Sequence, residues 1–102
     1  MQEVLTEMDF NSKVLEAPGN VLVEFFATWC PHCQRMQPVV DDVAARVAGQ
    51  CAVYQVDVDQ SPDLANEYAP QGFPTYVLFQ DGMVTESVSG EQPEEVLLQM
   101  AS

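Results

Sequence analysis

Two cysteines, Cys30 and Cys33, stand three residues apart in the segment TWCPHCQ, with Pro31 and His32 between them. Such a pair can be a structural bridge, half of a metal site or a reversible dithiol–disulfide couple. A bridge closing so short a loop would stabilise a folded domain by only about 2 kcal/mol. A structural zinc site needs four ligands, and this chain adds only His32 and the distant Cys51. The pair therefore favours redox chemistry.

The local pattern around the pair favours the same chemistry. The segment VLVEFFA, residues 21–27, is nearly all apolar, as in a strand buried on both faces of a sheet. A helical pattern follows, with Pro31 in its first turn and Pro38 inside it, where we expect a kink. Cys30 then lies at the helix N-terminus, where free backbone N–H groups favour the nucleophilic thiolate. Residues three apart share a helix face, so the two sulfurs can meet.

The rest of the chain alternates strand and helix patterns. Strands are predicted near residue 4, at 21–27, 52–58, 75–80 and 83–89, and helices from residue 9, from 31, over 62–68 and from 93. The last two strands form a hairpin through Asp81-Gly82. The sequence predicts one α/β domain over residues 1–102, with a central mixed sheet of about five strands flanked by helices and a C-terminal antiparallel hairpin and helix.

The charge of the chain limits its partners. Sixteen acidic residues face only three basic ones, which gives a formal net charge of -13. This balance argues against nucleic acids and anionic membrane surfaces as partners. No apolar run approaches the roughly 20 residues of a membrane span, and no signal peptide is visible, so we expect a cytoplasmic protein. We also expect a monomer. The third cysteine, Cys51, begins an apolar segment and is expected to be a buried, inert thiol.

Two separated segments resemble the thioredoxin family. The segment VEFFATWCPHCQRMQP resembles the family's active site, GFPTYVLFQDG resembles the segment that holds its cis-proline, and Gly90 resembles a later glycine. The resemblance extends over nearly the whole chain. It implies the thioredoxin fold and an oxidoreductase that reduces protein disulfides without a cofactor or metal. The implied partners are disulfide-containing proteins as substrates and thioredoxin reductase as electron donor.

The resemblance also assigns roles to individual residues. Cys30 would attack the substrate disulfide, and Cys33 would resolve the mixed disulfide. A substrate-binding surface would consist of Trp29, Pro31, Phe73, Pro74 and Gly90. Pro74 would follow a cis peptide bond, and the backbone of Phe73 would pair with an extended substrate. The alternatives are packing of Trp29 against the surface and burial of Phe73 in the core.

Glu24 is unusual on its own account, because it interrupts a strand suited to burial. The resemblance places it where the family has an aspartate that accepts a proton from the resolving cysteine. Lysines usual in the family are replaced by Gln34 and Gln55, so we expect the pKa of Glu24 to rise further. The alternative is a glutamate exposed at a sheet edge.

His32 departs from the Gly-Pro pair that thioredoxins usually enclose. The Pro-His pair resembles that of periplasmic disulfide-forming oxidases. We expect His32 to stabilise the thiolate of Cys30 and to make the couple more oxidising, or alternatively to be a solvated residue of little influence. The chain could then be a thiol oxidase or isomerase. It could also be a thioredoxin-fold binding module without catalysis, or a metal or iron–sulfur scaffold.

Overall fold

A computed structural model describes residues 1–102 of the chain. One mixed sheet has the strand order β2–β1–β3–β4, in which β1 is parallel to β2 and antiparallel to β3, and β3 is antiparallel to β4. The strands are β1 (Asn20–Phe26), β2 (Cys51–Asp57), β3 (Thr75–Gln80) and β4 (Met83–Ser89). The helices are α1 (Glu7–Phe10), which continues as a π-helical segment (Asn11–Leu15), α2 (Pro31–Arg46), α3 (Pro62–Tyr68) and α4 (Glu94–Ala101).

The central strand β1 is buried on both faces, as its apolar sequence predicted. Alternate side chains point to opposite faces of a sheet, so the strand joins two cores. Leu22 packs in a core with residues of α2 and α4. Val21, Val23 and Phe25 pack in a second core with residues of α1 and its π-helical continuation. The result is a sheet covered by helices on both faces.

The prediction of about five strands was one strand too high. Residue 4 makes only an isolated parallel bridge, between Val4 and Gln55. The strand cannot extend because a helix begins at Glu7, where the Thr6 backbone N–H donates to Asp9 Oδ1 at 2.6 Å. This helix therefore starts two residues before the predicted position.

The hairpin turn is at the predicted position, and Asp81 and Gly82 have φ angles of 51° and 84°. Positive φ at both turn residues matches the right-handed twist of the two strands. Gly82 also lies against the end of the π-helical segment, since a Cβ at this position would be 2.1 Å from the Leu15 carbonyl oxygen. The hairpin turn and the first helical region therefore approach each other closely at this point. None of the helices has the length and apolar character needed to cross a bilayer.

Candidate active site

Cys30 is the N-cap residue of α2, and Pro31 occupies the first turn of that helix, as predicted. The Cys30 Sγ accepts a hydrogen bond from the Cys33 backbone N–H at 3.3 Å. Both thiols are free, and each residue is 4% exposed. An amide N–H donated to sulfur at a helix N-terminus stabilises the thiolate over the thiol. The structure thus places Cys30 where a nucleophilic sulfur is favoured.

Cys33 is buried in the same cluster as Cys30. Burial, together with the neighbouring Cys30, raises the pKa of its thiol to about 12. A thiol with that pKa is a poor nucleophile near neutral pH, because the thiolate is the reacting species. The chemistry of Cys33 therefore requires a nearby group that can accept its proton.

Glu24 lies near enough for its charge to act on the Cys33 thiol, and it is 1% exposed. Its Oε1 accepts a hydrogen bond from Gln55 Nε2 at 2.7 Å, and its Oε2 accepts one from the Tyr76 hydroxyl at 2.7 Å. Burial raises the pKa of Glu24 to about 7, although the two hydrogen bonds act against that rise. The predicted burial is confirmed, and the alternative of an exposed edge residue is wrong.

Tyr76 was missed by sequence reasoning. It pairs with Glu24 across the antiparallel strands β1 and β3, while Gln55 pairs with Glu24 across the parallel strands β1 and β2. A buried carboxylate needs donors, and each neighbouring strand supplies one polar side chain amid apolar ones. That need was a usable signal, but only the register of the strands identifies the donors.

His32 is exposed, and its Nδ1 lies 2.6 Å from Glu91 Oε2. Arg35 Nε and a terminal nitrogen of the same guanidinium donate to that oxygen at 3.2 and 2.8 Å. Arg35 and then His32 lower the pKa of Glu91 to about 2. Sequence reasoning did not name Glu91, which follows Gly90 and is 59 residues from His32. The ring of His32 is thus paired with a carboxylate as well as lying next in sequence to the reactive pair.

Trp29 is 62% exposed, which agrees with the predicted platform beside the sulfurs. Its ring meets that of Phe73 edge to face, with centroids 5.2 Å apart, and its Nε1 donates to Asp59 Oδ2 at 2.8 Å. Phe73 is only partly buried and packs against the cluster that contains the two cysteines. Both aromatic side chains therefore border the sulfur pair.

The Phe73–Pro74 peptide bond is cis, as predicted. The Pro74 carbonyl accepts a hydrogen bond from the Gly90 N–H at 2.7 Å, and Gly90 has a φ of +86°. The backbone N–H and carbonyl of Phe73 make no hydrogen bond within the chain. The structure leaves this backbone available on the same side as the sulfurs.

No group of three or more metal-ligating side chains lies together.

Comparison with known proteins gives consistent matches. The family model described as thioredoxin matches residues 1–102. Thioredoxin M4, chloroplastic, of Arabidopsis thaliana is 39% identical over 93 residues, which are 91% of this chain and 48% of that protein. A thioredoxin of Staphylococcus aureus is 38% identical over 96 residues, which are 94% of this chain and 90% of that protein.

A solved structure supports the same assignment. A mutant thioredoxin from Halobacterium salinarum NRC-1 superposes with a TM-score of 0.85 and 35% identity, covering 97% of this chain and 86% of that one. These matches do not favour an oxidase, an isomerase or a non-catalytic module. The chain belongs to the thioredoxin family, and it is a thiol–disulfide oxidoreductase.

Proposed function

We propose that this chain reduces disulfides of cytoplasmic proteins through Cys30 and Cys33. The observation that carries the proposal is the position of Cys30 Sγ at the N-terminus of α2, with an amide N–H donated to it. The Cys30 thiolate attacks one sulfur of the substrate disulfide. A Cys30–substrate disulfide forms, the substrate S–S bond breaks, and the other substrate sulfur leaves as a thiolate.

Cys33 completes the reaction with the help of Glu24. The Cys33 thiol loses its proton to the Glu24 carboxylate, and its sulfur attacks Cys30 Sγ. The Cys30–Cys33 bond forms, the mixed disulfide breaks, and the second substrate sulfur leaves as a thiolate. Two electrons pass from the dithiol to the substrate. A carboxyl group whose pKa is about 7 suits this task, because it can take and return a proton near neutral pH.

Substrate recognition follows from the surface around the sulfurs. The unpaired backbone of Phe73 can add an extended substrate segment as a short strand, beside the cis bond to Pro74. Trp29, whose ring meets that of Phe73, and Pro31 are both exposed, and the Gly90 N–H is hydrogen-bonded to the Pro74 carbonyl. Main-chain pairing of this kind accepts many sequences, so it suits a reductase that acts on many proteins.

Charge adds a preference among substrates and donors. All three basic side chains pair with carboxylates, Lys13 with Glu3, Arg35 with Glu91, and Arg46 with Asp42 and Glu94. No basic side chain is therefore left unpaired on a chain whose net charge is -13. Basic proteins are steered to the surface, and nucleic acids and anionic membranes are repelled. The protein acts as a monomer, and thioredoxin reductase returns the oxidised pair to the dithiol.

The experiment is a coupled assay of protein-disulfide reduction, with thioredoxin reductase or a small dithiol as electron donor. Cys30→Ser should abolish turnover, and Cys33→Ser should accumulate a mixed disulfide on Cys30 that mass spectrometry detects. Cys51→Ser is the control and should retain full turnover, since Cys51 is buried away from the pair. Turnover by Cys30→Ser at the wild-type rate would reject the proposal.

A further inference from the structure

The side-chain amide of Gln55 has every hydrogen-bonding position occupied. Its Nε2 donates to Glu24 Oε1 at 2.7 Å and to Gln37 Oε1 at 2.9 Å. Its Oε1 accepts from Gln37 Nε2 at 3.1 Å and from the Gln2 backbone N–H at 2.8 Å. A primary amide offers two donor hydrogens and two acceptor lone pairs, so Gln55 is fully satisfied. Because Gln55 is 0% exposed, its partners alone decide which way the amide points.

Asp41 sets the direction of the side-chain amide of Gln37. Gln37 Nε2 also donates to Asp41 Oδ1 at 3.0 Å. Burial acts to raise the pKa of Asp41, but hydrogen bonds from Gln2 and Gln37, together with the N-terminal ammonium of Met1, outweigh it and lower that pKa overall. An ionised carboxylate only accepts hydrogen bonds, so Gln37 must present its NH₂ group to Asp41 and cannot present its oxygen.

Reversal of one amide would require reversal of the other. If Gln55 turned over, its oxygen would face the Glu24 carboxylate, and its NH₂ group would face the Gln2 N–H. The reciprocal pair with Gln37 would persist only if Gln37 also turned, which would set its oxygen against Asp41. Each of these contacts places like partners together, and the cost is greatest between Gln55 and Glu24, where burial leaves no water to satisfy an unpaired polar group. The hydrogen-bond chain from Asp41 to Glu24 therefore has one direction.

Tyr76 differs from Gln55 because a hydroxyl can both donate and accept. Tyr76 is 1% exposed, and its hydroxyl oxygen lies 2.7 Å from Glu24 Oε2. When Glu24 is ionised, the hydroxyl donates to Oε2. When a proton is on Oε2, the hydroxyl can turn and accept it. Gln55 cannot do the same at Oε1, since it is held as a donor there.

Resting on the proposed role of Glu24 as proton acceptor for Cys33, we propose that Gln55, Gln37 and Tyr76 are positioning residues that make Oε2 the proton-carrying oxygen of Glu24. The proton that leaves the Cys33 sulfur goes to Oε2, and the Tyr76 hydroxyl changes from donor to acceptor. The carboxyl group keeps both hydrogen bonds in either state. No electron is exchanged in this step.

The groups that face Glu24 define what else could move its titration. From α2 it is faced by Cys33 and Asp41, from β3 by Tyr76 and from β2 by the uncharged Gln55. From α4, the apolar Leu97 lines the same space. The charge of Asp41 by itself raises the pKa of Glu24, whereas the hydrogen bonds from Tyr76 and Gln55 lower it. Asp41 therefore has two opposed effects on the pKa of Glu24. Its charge raises that pKa, whereas the amide direction that it imposes keeps Gln55 as a donor to Glu24 and lowers it.

This opposition gives a matched pair of variants, Asp41→Asn and Asp41→Leu. Both remove the charge, but only Asn keeps an oxygen that can accept from Gln37. The readout is the NMR titration of the Glu24 carboxyl carbon in the oxidised chain, where Cys30 and Cys33 do not titrate. The pKa of Glu24 should be higher in Asp41→Leu than in Asp41→Asn, by about half a pH unit. Equal values would overturn the proposal, because charge alone changes equally in both.

Two further variants test the other members of the chain. Gln37→Leu should raise the pKa of Glu24, and Tyr76→Phe should raise it by about one pH unit. Each should move the rising limb of the pH profile of disulfide reduction to higher pH by the same amount. Circular dichroism of each variant checks that it is folded. An unchanged Glu24 titration in folded Tyr76→Phe would also overturn the proposal.

The proposed role of Glu24 fails in a different way. If Glu24→Gln left the pH profile of disulfide reduction unchanged, Glu24 would not be the proton acceptor for Cys33. The carboxyl titrations would still report whether the amide chain sets the state of Glu24. Failure of the inference and failure of the proposed function are therefore distinguishable.

Discussion

The Nδ1 atom of His32 lies 2.6 Å from Glu91 Oε2, so the histidine between the two cysteines is hydrogen-bonded to the loop that follows β4. The same carboxylate oxygen accepts from Arg35. This contact places a negative charge next to the side chain that was expected to favour the Cys30 thiolate. The redox potential of the pair should therefore depend on Glu91 as well as on His32.

Replacing Glu91 with Gln should make the couple more oxidising, by roughly 10 mV. The variant removes a negative charge and leaves the Arg35 guanidinium without its carboxylate partner near Cys30, which stabilises the reduced form. The measurement is equilibration with glutathione buffers at low ionic strength. Glu94→Gln is the control, because it removes an equal charge from a carboxylate that pairs with Arg46 instead. A more reducing potential in Glu91→Gln would contradict this view of the contact.

Replacing the enclosed Pro-His with Gly-Pro should make the couple more reducing by tens of millivolts. The double variant Pro31→Gly/His32→Pro removes the imidazole that we expect to stabilise the Cys30 thiolate. Equilibration with glutathione gives the potential, and the rate of alkylation of Cys30 against pH gives its thiolate fraction. A double variant as oxidising as wild type would show that His32 has little influence.

Glu24 should make stability depend on pH in a specific sense. Its pKa is about 7 in the folded chain and about 4.5 when exposed, so the folded state holds this proton more tightly. The tighter binding of this proton adds about 3 kcal/mol to the free energy of unfolding. This stabilisation is fully present below about pH 4.5 and is lost as the pH rises through about 7. Relative to wild type, Glu24→Gln should therefore become more stable as pH rises across this window.

Urea unfolding of both proteins between pH 4 and 8 measures that difference. Glu86 offers a control, since it lies on β4 with an exposed side chain. Glu86→Gln measures the effect of removing a carboxyl group from an exposed position across the same pH range. If the difference between wild type and Glu24→Gln stayed constant with pH, the carboxyl group would not titrate in this window.

The contact of the hairpin turn with the first helical region predicts unequal costs for two glycine substitutions. Gly82→Ala and Gly49→Ala both place a side chain at positive φ, which costs about 1 kcal/mol. Only at Gly82 does the new Cβ meet a backbone atom, the Leu15 carbonyl oxygen, whereas Gly49 has open space. Gly82→Ala should lower the free energy of unfolding, measured in urea, by more than about 2 kcal/mol. Equal losses would show that the turn can move away at no cost.

Local patterns predicted most of the architecture, because the relevant physics acts over a few residues. The apolar run of β1, the positive-φ turn at Asp81-Gly82 and the proline after Cys30 each indicated an element that the structure contains. The spacing of Cys30 and Cys33 likewise brings them onto one helical turn in any fold that forms the helix. The strand predicted near residue 4 was wrong because the capping interaction of Thr6 with Asp9 starts a helix too soon for a strand to extend.

The sequence by itself determined that a thiol pair opens a helix after a buried strand, and that one carboxylate interrupts that strand. Only the tertiary structure decided what surrounds these groups. Strand register brings Tyr76 and Gln55 to Glu24, and a loop 59 residues away brings Glu91 to His32. Such contacts depend on how distant elements align, and a shift of one residue in register would turn each side chain to the other face of the sheet.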